Sequence, residues 1–142
     1  MPTTHPSTLF RALVLRHQAL PGSLRRLWSD PNGLERAVDL CDDLLADLDV
    51  LITVVIEGME VGKPWDALAT DAITMKRAVY DQLIGFCSVR SPRLAAVLER
   101  SMARDLTDSA DRLRAAESRA RSRDHDSRAS AHPRYVTPGW CA

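Results

Sequence analysis

Cysteine and histidine are the residues of this sequence best suited to metal or nucleophilic chemistry, but neither type forms a recognisable site. The three cysteines (Cys41, Cys87 and Cys141) include no C-x-x-C pair, which is the spacing typical of many zinc and redox sites. No H-E-x-x-H motif is present, and none of the four histidines has a second histidine at i,i+4. We therefore predict a non-enzymatic protein with no catalytic residue, no metal site and no cofactor.

The cysteines are nevertheless informative about environment. Cys41 and Cys87 fall on apolar helix faces, where cysteine behaves as a small hydrophobic residue, so we expect at least one of them to be buried and unreactive. Cys141 follows the turn at residues 138–139 and is expected to label readily. An odd number of cysteines without a secretory signal pattern favours the reducing cytoplasm as the location.

The glycine-rich segment at residues 57–66 is the nearest approach to a phosphate-binding motif. It contains Gly58, Gly62 and Lys63, but Pro64 stands where a phosphate loop requires a hydroxyl group, and the first glycine is misplaced. We interpret the segment as a connector between two helices, with Trp65 as a hydrophobic plug.

Charge is distributed very unevenly along the chain. Lys plus Arg and Asp plus Glu are both 19, so the net charge is zero, which disfavours a general nucleic-acid coat or a membrane-surface protein. Residues 1–28 carry four arginines and no acid. Residues 30–60 carry Arg36 and nine acidic residues: Asp30, Glu35, Asp39, Asp42, Asp43, Asp47, Asp49, Glu57 and Glu60.

The acidic residues of the second predicted helix form the main candidate site. Asp39, Asp42, Asp43 and Asp49, together with Glu35, share its solvent side, where like charges at i,i+3 and i,i+4 lower stability. Basic residues of the first and fourth helices could neutralise them internally. Alternatively, they dock a protein with a basic surface. The sequence leaves both explanations open.

A second hypothesis is that the protein is a DNA-binding regulator. We consider nucleic acid a less favoured partner than a basic protein. Two apolar-patterned segments, residues 8–20 and 23–28, flank Pro21 and Gly22 in the manner of a helix-turn-helix, with arginines nearby. The second segment is short for a recognition helix. An Arg-rich fourth helix would add positive charge, and a homodimer is compatible with this arrangement. A third hypothesis is an enzyme whose site is assembled only by folding.

Helical periodicity organises most of the chain. Ser7 is the predicted N-cap of the first helix, and Ser91 with Pro92 opens the fourth. The β-branched stretch 50–56 resembles a strand, but no second strand-like run exists to pair with it, so we predict helix. The four predicted helices cover residues 8–20, 34–57, about 65–87 and about 92–116.

Large apolar residues disappear after residue 117. The segment 118–132 cannot bury enough surface to offset its ordering, so we predict disorder or a frayed helix. This divides the chain into a bundle at residues 1–117 and a flexible polar tail at 118–142. Tyr135 and Trp140 are candidate partner-binding aromatics in that tail.

The prediction as a whole is an all-α protein, a small bundle of about four helices with a polar, flexible C-terminal tail. The longest apolar run is too short to cross a bilayer, so no membrane association is expected. We predict a cytoplasmic interaction module, a small regulator or inhibitor that docks a basic partner protein through the acidic helix face.

Overall fold

The computed structural model describes residues 4–131 of the chain. Within that range it contains four α-helices and no β-strand, which confirms the predicted all-α bundle. The helices are α1 (Pro6–Leu27), α2 (Gly33–Glu60), α3 (Asp66–Arg90) and α4 (Pro92–Ala131). None of them, over the residues described, has the length and unbroken apolar sequence needed to cross a membrane.

Helices α2 and α3 form the centre of the bundle. Both α1 and α4 pack against this pair, and they have little contact with each other. Helix α4 runs parallel to α2, since Thr53 contacts Arg112 and, further along both helices, Glu60 contacts Arg119. The central pair must therefore present one face to α1 and another to α4.

The core is almost entirely aliphatic. Leu48, Leu51, Ile52 and Val55 of α2 are fully buried, so the β-branched stretch is helical as predicted. Burying one such side chain contributes roughly 1.5–3 kcal/mol. Because α2 and α3 each contact all three other helices, the apolar residues of this pair form the centre of the core.

Helix α1 differs from the sequence prediction at both ends. It begins at Pro6 rather than residue 8, and the N-cap is His5 rather than Ser7, because the His5 Nδ1 accepts the backbone N–H of Ser7 at 3.1 Å. It also continues through Pro21, where we expected a break. Proline removes one helical hydrogen bond, but Leu20 and Leu24 on either side are buried and extend the apolar stripe past it.

The predicted start of α4 is confirmed. The Ser91 hydroxyl accepts the backbone N–H of Leu94 at 3.3 Å, and Pro92 occupies the first helical position. The predicted end was wrong, because α4 continues to Ala131 rather than stopping near residue 116. At 40 residues it is about 60 Å long. The predicted mobility of residues 118–132 stays a prediction.

The connector between α2 and α3 contains Trp65, which packs on α2 as a plug. A Cβ at Gly58 would lie 2.2 Å from the Trp65 ring, so only glycine leaves room for the indole. The ring of His5 meets Trp65 edge-on, with 5.3 Å between centroids. Trp65 therefore joins the end of α2 to the start of α1.

Candidate functional site

A lysine buried between three helices is the most unusual polar feature of the bundle. Lys76 of α3 is 0% exposed. Its Nζ donates to Oδ1 of Asp49 on α2 at 2.5 Å, to Oδ1 of Asp105 on α4, and to the Ser109 hydroxyl at 3.2 Å. Tyr80 donates its hydroxyl hydrogen to the other oxygen of Asp105 at 2.7 Å. We call these five residues the lysine network.

Each donor of the lysine has a partner. An ammonium group has three N–H donors, and the three contacts of Lys76 engage them all. An unpaired charge in the same position would be strongly destabilising. The network therefore fixes the position of α4 against α2 and α3, because one side chain makes contacts with both neighbouring helices.

Sequence reasoning missed this network, although a signal was present. Lys76 stands four residues after Ala72 and four before Tyr80, on the apolar stripe of α3. Lys63 is the one other lysine in a chain whose remaining basic side chains are arginine. A rare lysine at a core position of an amphipathic helix predicts a buried ion pair with carboxylates from elsewhere in the chain.

The contact between Ser109 and Lys76 could suggest a nucleophile with its base, but the geometry opposes this role. A general base needs a free lone pair, and Nζ donates to two carboxylates. Ser109 is only 2% exposed, so a substrate has no access to its hydroxyl. The pKa of Tyr80 is raised by burial, by its hydrogen bond to Asp105 and by nearby carboxylates. Each of these features favours a structural network.

The structure divides the acidic residues of α2 into two groups. In the C-terminal half, Asp47 pairs with Arg16 of α1, Asp49 with Lys76, and Glu60 with Arg119 at 2.6 Å. Asp47 and Glu60 are thus paired with α1 and α4, the helices named in the internal-pairing explanation, whereas the partner of Asp49 lies on α3. Glu57, the fourth acid of this half, is exposed and takes part in none of the ion pairs found among residues 4–131. Asp49 thus belongs to the lysine network rather than to a free acidic face.

The N-terminal half of α2 is different. Glu35, Asp39, Asp42 and Asp43 are exposed, and none of the ion pairs found among residues 4–131 includes them. The pKa of Asp42 is raised by partial burial and by the charges of Asp39 and Asp43. We call these four residues the unpaired acidic cluster. Their mutual repulsion is the cost that a cationic partner would relieve.

Both cysteines within the described range are buried, as expected for at least one of them. Cys41 and Cys87 are 0% exposed. Burial, with a smaller contribution from Asp42, raises the pKa of Cys41 to about 12. Burial also raises the pKa of Cys87. Because the thiolate is the reactive form, low reactivity of both thiols stays our prediction. Cys141 lies outside the described residues.

Arg90 at the end of α3 makes a second notable cluster. Its guanidinium stacks over the rings of Trp28, at 4.0 Å, and Phe86, at 4.4 Å, and it donates to the Trp28 carbonyl. Its Nη1 is buried without a hydrogen-bond partner among residues 4–131. An adjacent open groove of about 290 Å³ is lined by Pro21, Leu24 and Trp28 among others.

A larger open groove of about 490 Å³ lies between the α2–α3 connector and the distal part of α4. Its charged lining is mixed, with Lys63, Arg121 and Arg123 opposed by Asp66, Glu117 and Asp124. Across the described range, no group of three or more potential ligands is arranged to hold a metal ion.

Two other sequence predictions can be placed. The predicted helix-turn-helix with its turn at Pro21 and Gly22 was wrong, because both residues lie inside the continuous helix α1. Tyr135 and Trp140, the predicted aromatic anchors, lie outside the described residues, so their role stays a prediction.

The fold and the site together define an all-α bundle held by a buried lysine network and carrying an unpaired acidic cluster. No protein-family model matches the sequence, and neither a curated protein nor a solved structure is significantly similar to the chain.

Proposed function

We propose that this protein is a non-enzymatic interaction module that docks a basic protein partner through the unpaired acidic cluster of α2. The observation that carries the proposal is the difference between the two halves of this helix. Three of the four acids of the C-terminal half are paired within the chain, Glu57 being the exception, whereas all four acids of the N-terminal half are unpaired. Those four are Glu35, Asp39, Asp42 and Asp43, and none of the ion pairs found among residues 4–131 includes them.

A basic partner would associate with the unpaired acidic cluster faster than an uncharged protein would. Clustered carboxylates attract a cationic surface over about a Debye length, roughly 8 Å at physiological salt. Complementary charge mainly accelerates association and selects between partners. A cytoplasmic regulator or inhibitor that occupies a basic surface is the role we propose. Tyr135 and Trp140 would add apolar contact area to the same complex.

The test compares two variants that remove equal charge. The first changes Asp39, Asp42 and Asp43 to Asn, and the matched control changes three other exposed acids to Asn: Asp71, Asp81 and Asp108. Proteins captured from the native host by the wild-type chain supply the partner. We expect the cluster variant to lose most of its association rate and the control to keep it, with the difference shrinking at high salt.

Stability measurements accompany the binding measurement. Neutralising the cluster should leave the melting temperature unchanged or raise it slightly, because repulsion is relieved. A cluster variant that melts lower and binds as the wild type does would show that these acids serve the fold, and would end the proposal.

A further inference from the structure

The three connectors of the bundle differ sharply in length. Residues 28–32 link α1 to α2 and residues 61–65 link α2 to α3, five residues in each case, whereas α3 and α4 are joined by Ser91 alone. Connections between helices usually have about two to eight residues. A hinge this short restrains the closed hairpin, and short hinges favour exchange of the linked element between copies.

The backbone at the hinge allows the hairpin to open at a single residue. Ser91 is extended, with φ −150° and ψ 87°. Pro92 disfavours a helical conformation at the residue before it, so α3 and α4 are kept from fusing into one helix. Opening the hairpin therefore requires torsional changes at Ser91 and leaves both helices intact.

The contacts that position α4 are specific and include several polar ones. Asp105 and Ser109 receive Lys76, while Arg112 and Arg119 reach Thr53 and Glu60 of α2. Among the side chains of α4 that the structure describes, few are buried and most of these are small: Ala95, Ser109, Leu113 and Ala116. An opened chain would leave Lys76 without its α4 partners, and an α4 from a second copy supplies the same groups in the same register.

We infer that a second copy of this chain can occupy the α4 site, giving a dimer in which each copy packs its α4 on α2 and α3 of the other. Charge complementarity selects the occupant, because Asp105 and Ser109 match the donors of the buried lysine. Such a dimer repeats every intramolecular contact of the monomer and changes only the hinge.

Charge reversal on opposite sides of the network provides the decisive test. Lys76→Glu places three carboxylates together, and Asp105→Lys places two ammonium groups together, so each chain alone should lose helicity and melt lower than the wild type. In an exchanged heterodimer, one site combines the unaltered Lys76 with the unaltered Asp105. The other site combines the introduced carboxylate with the introduced ammonium group. Joint refolding should therefore restore a species of twice the monomer mass with wild-type helicity.

Each outcome of the mixing experiment decides the question. A mixture that melts as the average of its two components, without a species of doubled mass, would overturn the exchange. Single variants as stable as the wild type would also overturn it, because the lysine network would then not select α4.

Hinge variants of the wild-type network give an independent measurement. The chain is refolded from urea over a range of concentrations and its mass is followed by light scattering. Pro92→Ala should increase the dimer fraction, because Ser91 is then free to become helical and to extend α3 into α4. Inserting Gly-Ser-Gly-Ser after Ser91 should decrease it, and Pro64→Ala in the longer connector is the control. Monomer at every concentration in all four chains, or a dimer indifferent to the hinge, would contradict the inference.

Discussion

Helix α2 carries acidic residues along its whole length, but its two halves place them in different surroundings. In the C-terminal half, Asp47, Asp49 and Glu60 meet basic groups from α1, α3 and α4 respectively. In the N-terminal half, the unpaired acidic cluster faces solvent, and Asp42 carries a raised pKa. Similar helical spacing therefore gives mostly paired acids in one half of α2 and unpaired acids in the other.

The ion pairs of α2 are of two kinds, exposed pairs on the surface and the pair made with the buried Lys76. The pair between Arg16 and Asp47 is exposed on both sides, and such pairs typically contribute about 0–1 kcal/mol. Lys76 is completely buried, with Asp105 25% exposed and Asp49 49% exposed. Removing one partner of the network is therefore expected to cost more stability than breaking an exposed pair.

The largest expected effect follows from removing the buried charge. Lys76→Met should lower the free energy of unfolding by about 3 kcal/mol, the lower end for breaking a buried pair, since both carboxylates retain some solvent access. Urea denaturation measures this as a shift of midpoint at constant slope. Lys63→Met, in the exposed connector, is the control and should change little. Equal midpoints for the two variants would contradict a stabilising network.

The next largest effect concerns the carboxylate that contacts both Lys76 and Tyr80. Asp105→Asn should cost about 2 kcal/mol, because hydrogen bonds to charged groups contribute about 1.5–3 kcal/mol. Thermal melts of this variant are compared with those of the neighbouring exposed Asp108→Asn, which should be nearly neutral. Equal melting temperatures for the two variants would show that the contacts of Asp105 add little to stability.

A smaller effect is expected in the exposed pairs of the C-terminal half. Asp47→Asn should lower the free energy of unfolding by about 0.5 kcal/mol, and the loss should diminish in high salt as screening weakens the pair with Arg16. Thermal melts at two salt concentrations provide the measurement. A salt-independent loss above about 1 kcal/mol would mean that this half is held by more than surface charge.

The smallest effect has the opposite sign and lies in the N-terminal half. Asp42→Asn should raise stability at pH 7 by about 0.3 kcal/mol through relief of like-charge repulsion. Because the folded-state pKa of Asp42 is raised, the folded chain takes up the proton more readily than the unfolded chain, and the penalty disappears as pH falls through that pKa. Melting curves of variant and wild type from pH 7 to pH 4 should therefore converge. Divergence on acidification would show that Asp42 is stabilised by its neighbours.

Much of the fold followed from the sequence because helix formation depends on local patterns. The apolar stripes predicted all four helices, and Ser91 with Pro92 marked the start of α4. The misplaced boundaries have local causes of their own. Pro21 suggested a break that Leu20 and Leu24 override by tertiary burial, and the polar residues after 117 concealed a helix without an apolar face.

The candidate site was predictable only in part. The acidic residues of α2 were visible as a helix face, and the unpaired acidic cluster is a subset of it. The sequence could not show that Asp49 is paired and the other acids are not, because its partner Lys76 is 27 residues away on another helix.

The sequence by itself determined the helical class, the aliphatic core and the presence of an acidic helix face, since each depends on spacing within one helix. Only the tertiary structure decided which acids are neutralised, because ion pairing depends on what the neighbouring helices bring within about 4 Å. Lys76 illustrates the difference. Its position on an apolar stripe is local information, but Asp49, Asp105 and Ser109 become its partners only when α2 and α4 both pack against α3 at this position.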